Sequence, residues 1–110
     1  SDQFHPALAV EPNGAGGDRV TVSFYDRRLD PANCRAHVFA TQSVDNGATW
    51  SKNVQLTSVD SDFSGNGNGP GDYSSAAPFR VATMALQGVY PLFAQHRSGA
   101  DFEVYTAPVN

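Results

Sequence analysis

Cysteine, methionine and tryptophan occur once each in this 110-residue chain, and charged residues make up only 16% of it. With Cys34 as the only thiol, no intrachain disulfide is available, and one thiol is compatible with any compartment. Next to Arg35 it is either a somewhat activated thiol or an inert loop or strand residue. Basic residues do not cluster beyond Arg27 and Arg28, the net charge is −4 and the pI is near 5.0. That balance excludes a general nucleic-acid binder. No apolar run is long enough to span a bilayer, and residues 1–10 show no signal-peptide pattern. If the parent protein is exported, its signal has already been removed.

Chemistry-bearing patterns are equally sparse. His5, His37 and His96 lack metal-ligand spacing, Glu11 and Glu103 are isolated, and neither G-x-S-x-G nor a Ser-His-Asp arrangement can be found. Asp26, followed by two arginines, reads as a paired, ionised carboxylate with Arg27 rather than a proton donor. No carboxylate pair suited to glycoside cleavage stands out. Helix-favouring runs of Glu, Lys and Leu are missing too.

What the chain has instead is hydrophobic residues (40%), frequent aromatics (11%) and frequent Gly and Pro. Short apolar runs broken by turn residues predict an all-β fold. Residues 5–10 (HPALAV) form a first extended segment, closed by the turn-rich EPNGAGGD. In residues 19–25 (RVTVSFY), Val20, Val22 and Phe24 alternate with Thr21, Ser23 and Tyr25. That period of two predicts a strand. A third strand is expected over 36–42 and a short fourth over 54–57, giving a four-stranded antiparallel meander. Residues 58–71, SVDSDFSGNGNGPG, read as a flexible polar linker. Beyond it, further strands are expected over 73–79, 88–95 and 101–107.

The second half repeats the first. VTVSFYDRR lies over VYPLFAQHR, and HVFAT lies over EVYTA, setting Phe39 opposite Tyr105. Matching strands with variable loops mark a repeat architecture. The expected organisation is a unit over 1–57, a linker over 58–71 and an incomplete unit over 72–110.

Residues 43–50, SVDNGATW, carry Ser43, Asp45, Gly47, Thr49 and Trp50 in the pattern S-x-D-x-G-x-T-W. Gly47 permits the positive φ of a tight turn, and Asp45 is placed to accept turn amides. Ser43 and Thr49 are placed to cap the turn. Trp50 offers the largest side chain for burial between strands. With FHPALAV, VSFYDRR and GPGDYSSAA, this octapeptide resembles the bacterial BNR/Asp-box, exo-sialidase-like β-propeller family, over nearly the whole chain. The resemblance implies sialidase-like blades, one complete and one incomplete, with the box at the turn between the third and fourth strands and away from the ligand face. It also implies a secreted or cell-surface setting.

A catalytic sialidase of that family needs an arginine triad, a Tyr–Glu pair and an Asp acid/base drawn from several blades. Its F/Y-R-I-P motif has only a partial counterpart in Phe79, Arg80 and Val81, without the proline. The reading is therefore a non-catalytic module, structural or carbohydrate-binding, that completes its ring by oligomerisation or inside a longer parent. Two blades cannot close a ring alone. The alternatives are a glycosidase with a site between blades or chains, and an isolated β-sandwich bearing the box. Should a glycan bind, the strand-end residues Tyr25, Asp26, Arg27, Arg28, Tyr73, Gln95, His96 and Arg97 are the candidates, since rings stack on sugars and polar groups bond hydroxyls. The same residues suit contacts between blades.

Asp60, Asp62, Ser64 and Asn66 lie in D-x-D-x-S-G-N, the opening of a calcium loop with donors at alternate positions. The twelfth position is Gly71 instead of Glu, although Asp72 follows. Calcium is the one cofactor this sequence suggests, and a solvated linker is the competing reading.

Overall fold

The computed structural model describes residues 1–12, 16–63, 75–81, 86–96, 102–106 and 109. Every element among them is a strand and every pairing is antiparallel, so the fold is all-β. The strands are β1 (Gln3–Glu11), β2 (Arg19–Asp26), β3 (Arg35–Ser43), β4 (Val54–Gln55), β5 (Ser61–Asp62), β6 (Ser75–Val81), β7 (Leu86–His96) and β8 (Phe102–Thr106). The first sheet runs β1-β2-β3-β4, with β5 also paired to β3, and the second runs β6-β7-β8. Successive strands β1 to β4, and β6 to β8, are neighbours in their sheets, as expected for meanders.

β2 alternates as its sequence predicts, but its polar side is the one buried. Thr21, Ser23 and Tyr25 are buried, together with Ala7 and Ala9 of β1 and Ala36, Val38 and Ala40 of β3. Val20, Val22 and Phe24 on the opposite side are half-buried. Small residues let another layer approach closely, and the hydroxyl groups need partners inside. Thr21 Oγ1 accepts from Gln42 Nε2 at 3.0 Å.

At one end of the buried side the core becomes aromatic. Phe4 stacks on Tyr25 with ring centroids 5.3 Å apart, and Phe63 meets Tyr25 edge-on at 5.5 Å. Such pairs contribute about 0.5–1.5 kcal/mol each beyond their buried area. β1 reaches this cluster through a register slip between Phe4 and Ala7. His5 has a φ of 55° in the slip, and Pro6, which lacks an N–H, falls within it on an edge strand.

Of the linker expected over 58–71, Ser61 and Asp62 return to the outer edge of the sheet, and residues 64–71 lie outside the described residues. Leu56 N donates to the Val38 carbonyl at 2.8 Å, after which the chain bulges outward. Thr57 then fills the ladder with its side chain: Val38 N donates to Thr57 Oγ1 at 3.0 Å. The backbone returns as β5, where Ser61 pairs with Ala36 and Asp62 with Arg35. The return places Phe63 in the aromatic cluster. Burial of that one ring in an otherwise polar run is the reason the edge is recovered.

The second sheet pairs in the same order. Phe24 faces Phe39 across β2 and β3, and Phe93 faces Tyr105 across β7 and β8. Leu8 faces Val22, and Ala76 faces Pro91. In this register Asp26 holds the position of Gln95, as in the superposition of VTVSFYDRR on VYPLFAQHR. β6 lies beside β1, and β7 approaches β5.

Candidate functional site

The turn joining β3 to β4 is organised around two side chains. Ser43 Oγ accepts the Gly47 amide at 2.8 Å and donates to Asp45 Oδ1 at 2.7 Å. Asp45 Oδ1 also accepts the Thr49 amide at 2.8 Å, and Oδ2 accepts the Thr49 hydroxyl at 2.5 Å. Gly47 has a φ of 87°, in the left-handed region that favours glycine. Bonds from Thr49 and Ser43 hold the Asp45 carboxyl well below the usual carboxylate range, at about 2. The hairpin closes below the turn through Ser51 N to the Gln42 carbonyl at 2.8 Å. Both carboxylate oxygens of Asp45 thus accept from its own loop, as a structural carboxylate does.

Trp50 departs from expectation. It is 46% exposed rather than buried between strands, and its Nε1 donates to the Gly47 carbonyl at 3.0 Å. The indole folds back over its own turn because no other layer of the described residues covers that end. The turn is braced elsewhere: Asp18 N donates to Asn46 Oδ1 at 2.8 Å, where Gly17 has a φ of 101°. Nothing in the residue pattern of 43–50 announces Asn46 as the link to the β1–β2 turn.

The strand-end candidates divide sharply. Tyr25 and Asp26 are buried, so neither presents a surface to a ligand. Asp26 pairs with Arg28 and not with the adjacent Arg27, because the chain turns just after β2 and brings Arg28 back onto the carboxylate. The Arg28 amide donates to Asp26 Oδ1 at 2.7 Å, and Arg28 Nε and Nη2 donate to Oδ2. Burial alone pushes the Asp26 carboxyl up, but the bonds from Arg28 and from Gln3 outweigh it and hold the group below its ordinary value. The Arg28 guanidinium also lies 4.7 Å from the Phe39 ring centroid. Arg27 turns the other way, to Asp2 Oδ2 at 3.2 Å and over the Phe4 ring at 4.9 Å.

Gln95 and His96 end β7, paired with Glu103 and Phe102. Gln95 therefore holds the register position of Asp26. Tyr73 and Arg97 lie outside the described residues. The loop after Arg28 is tied by Asp30, held below the usual carboxylate range by the amides of Arg35, Cys34 and Ala32. Cys34 Sγ donates to the Ala32 carbonyl at 3.3 Å, which gives this thiol a local structural partner.

Asp60 and Asp62 both face Arg35, with Asp60 Oδ1 at 3.3 Å from Nη1 and Asp62 Oδ2 at 3.8 Å from Nη2. Ser64 and Asn66 lie outside the described residues. Among the described residues no three His, Cys, Asp or Glu side chains converge as a metal site. His37 Nδ1 sits 3.0 Å from the Thr57 carbonyl oxygen and 3.1 Å from its hydroxyl, beside the bulge. No helix of the described residues is long and apolar enough to cross a membrane.

Reading by residue type missed Phe4 and Phe63 as core, Arg35 as the acidic loop's partner, and the Glu11–Arg19 pair at 3.1 Å. Only the last had a local signal, as the two residues flank one turn. Comparison with protein-family models, with curated proteins and with solved structures gives no match, so the functional reading rests on the residues and their arrangement.

Proposed function

We propose that this chain is a non-catalytic blade module of a sialidase-like β-propeller, structural or carbohydrate-binding. It completes its ring with further copies or within a longer parent. The single observation that carries this reading is the Ser43–Asp45–Thr49 network at the turn between the third and fourth strands of a meander. The second sheet, with the same strand order and register, supports a repeat of that unit. Three copies of two units would make a ring of six blades, the number the resemblance implies.

The strand-end residues favour the structural side of this reading. Tyr25 is committed to the aromatic cluster, Asp26 to Arg28 and Arg27 to Asp2. A glycan site would use what such a rim leaves open, with Gln95 and His96 as its contribution from the second sheet.

Electron microscopy of the purified protein tests the ring, and a glycan array with a fluorogenic sialoside tests the chemistry. A closed ring with no turnover is expected. Turnover abolished by substitution of Arg28 or Arg97 would replace this reading with a glycosidase.

A further inference from the structure

Asn-Gly occurs four times in the chain, at residues 13–14, 46–47, 66–67 and 68–69. Such a pair can react with itself, because no side chain on the glycine hinders its amide nitrogen from reaching the preceding carboxamide carbon. Residues 46–47 are the pair that falls within the described residues. Attack there needs a Gly47 nitrogen stripped of its proton and an Asn46 carboxamide turned back along its own backbone.

The turn opposes both requirements. Gly47 N donates its proton to Oγ of the buried Ser43 at 2.8 Å. Asn46 is held from the other side, by the β1–β2 turn: its Oδ1 accepts from Asp18 N at 2.8 Å, and its own N donates to the Asp18 carbonyl at 3.3 Å. The reactive carbon rests against Gly17, where a Cβ would fall 3.1 Å from Asn46 Cγ. Asn46 is nevertheless exposed, so water and base reach it and burial gives no protection. The bonds to Ser43 and Asp18 are what stand between the two reacting groups.

We infer that Asn46–Gly47 is a latent self-modification site, kept unreacted by the Ser43 and Asp18 hydrogen bonds and released when the 43–50 turn opens. On opening, Gly47 N loses its proton to solvent base and attacks Asn46 Cγ. The N–Cγ bond forms, the Cγ–Nδ2 bond breaks, and ammonia leaves with a proton from solvent. Water then opens the cyclic imide at either carbonyl, leaving aspartate or isoaspartate in place of Asn46 with no oxidation or reduction. Isoaspartate routes the backbone through Cβ and Cγ, which lengthens the turn inside the spans that Ser43–Gly47 and Asp45–Thr49 bridge. Those bonds cannot re-form, so the change is one-way and leaves the turn open. The site depends on this turn alone and not on the ring.

Peptide mapping by mass spectrometry, after incubation at mildly alkaline pH with and without urea, reads the conversion of Asn46. It is expected to be at least about tenfold slower in the folded chain than in the unfolded one, because local opening limits it. Ser43→Ala frees the Gly47 amide and is expected to raise the folded-state rate about threefold or more, the effect of one lost hydrogen bond. Gly17→Ala pushes on the Asn46 side chain and is expected to raise it too. If either variant fails to fold, the other carries the test. Phe63→Ala weakens the fold at the opposite end of β3 and is expected to leave the rate unchanged. Equal rates in the folded and unfolded chain, or a folded Ser43→Ala or Gly17→Ala protein no faster than wild type, overturns the proposal. A Phe63→Ala protein as fast as these variants overturns it as well, by assigning the protection to global stability.

Discussion

Asp26 and Arg28, two residues apart at the end of β2, close a ring of hydrogen bonds in which the Arg28 amide takes one carboxylate oxygen and its guanidinium the other. Asp26 has no exposed surface, while Arg28 is 35% exposed. Removing the arginine strands a buried carboxylate, which costs more than the pair itself contributes.

Arg28→Met is expected to destabilise the fold by about 2–3 kcal/mol, below the full figure for a buried pair because solvent reaches the guanidinium. Arg27→Met removes a half-buried partner of the exposed Asp2 and a ring contact, and because Asp2 keeps its water it is expected to cost about 1 kcal/mol. Urea unfolding of both variants checks the order. Equal losses would contradict the assignment of Arg28 as the partner of Asp26.

Acid should loosen the 43–50 turn in a defined window. The Asp45 carboxyl titrates at about 2 in the fold against an ordinary value of 3.8. Its contribution is therefore complete above the ordinary value and declines as pH falls through the folded one. Melting temperature is expected to drop between pH 4 and pH 2. Asp45→Asn, which cannot titrate, is expected to start lower and show a shallower slope. Asp26 and Asp30, lowered as well, account for the slope that remains.

Two glycines with positive φ should respond differently to alanine. At Gly47 a Cβ would lie 3.7 Å from Trp50 Cζ2, an ordinary contact, so backbone conformation alone sets a cost of about 1–2 kcal/mol. At Gly17 a Cβ would lie 2.8 Å from Asn46 Nδ2, adding a clash where the two turns meet. Gly17→Ala is expected to be the more damaging in chemical denaturation. The opposite order would show that the two turns are not docked.

Calcium is expected to leave the melting temperature unchanged at millimolar concentration. Asp60 and Asp62 already face Arg35, and a cation would have to displace that guanidinium. A rise in melting temperature that Asp62→Asn removes would establish the calcium loop instead.

Tyr25 is the keystone of the aromatic cluster, between Phe4 and Phe63. Tyr25→Ala is expected to cost about 3–5 kcal/mol, as for other large buried rings. Phe63→Ala is expected to release β5 as well, visible as faster amide exchange at Ala36 and Ser61. Retained protection there would show that β5 holds without the ring.

The strands and the 43–50 turn were legible in the sequence because their determinants are local. Alternation in β2 follows from backbone pleat, and the Ser43, Asp45, Gly47 and Thr49 contacts span four residues or fewer. Long-range packing decided the rest. The Thr21–Tyr25 side of β2 is the buried one, and no periodicity tells which face will be covered. Nor does the 43–50 pattern tell that Trp50 stays outside. Arg28 displaced Arg27 as the partner of Asp26 through the geometry of the strand end, and Phe63 recovered an edge strand from a run that reads as linker. Local hydrogen bonding depends on neighbours along the chain, whereas burial depends on what the fold brings to the other side.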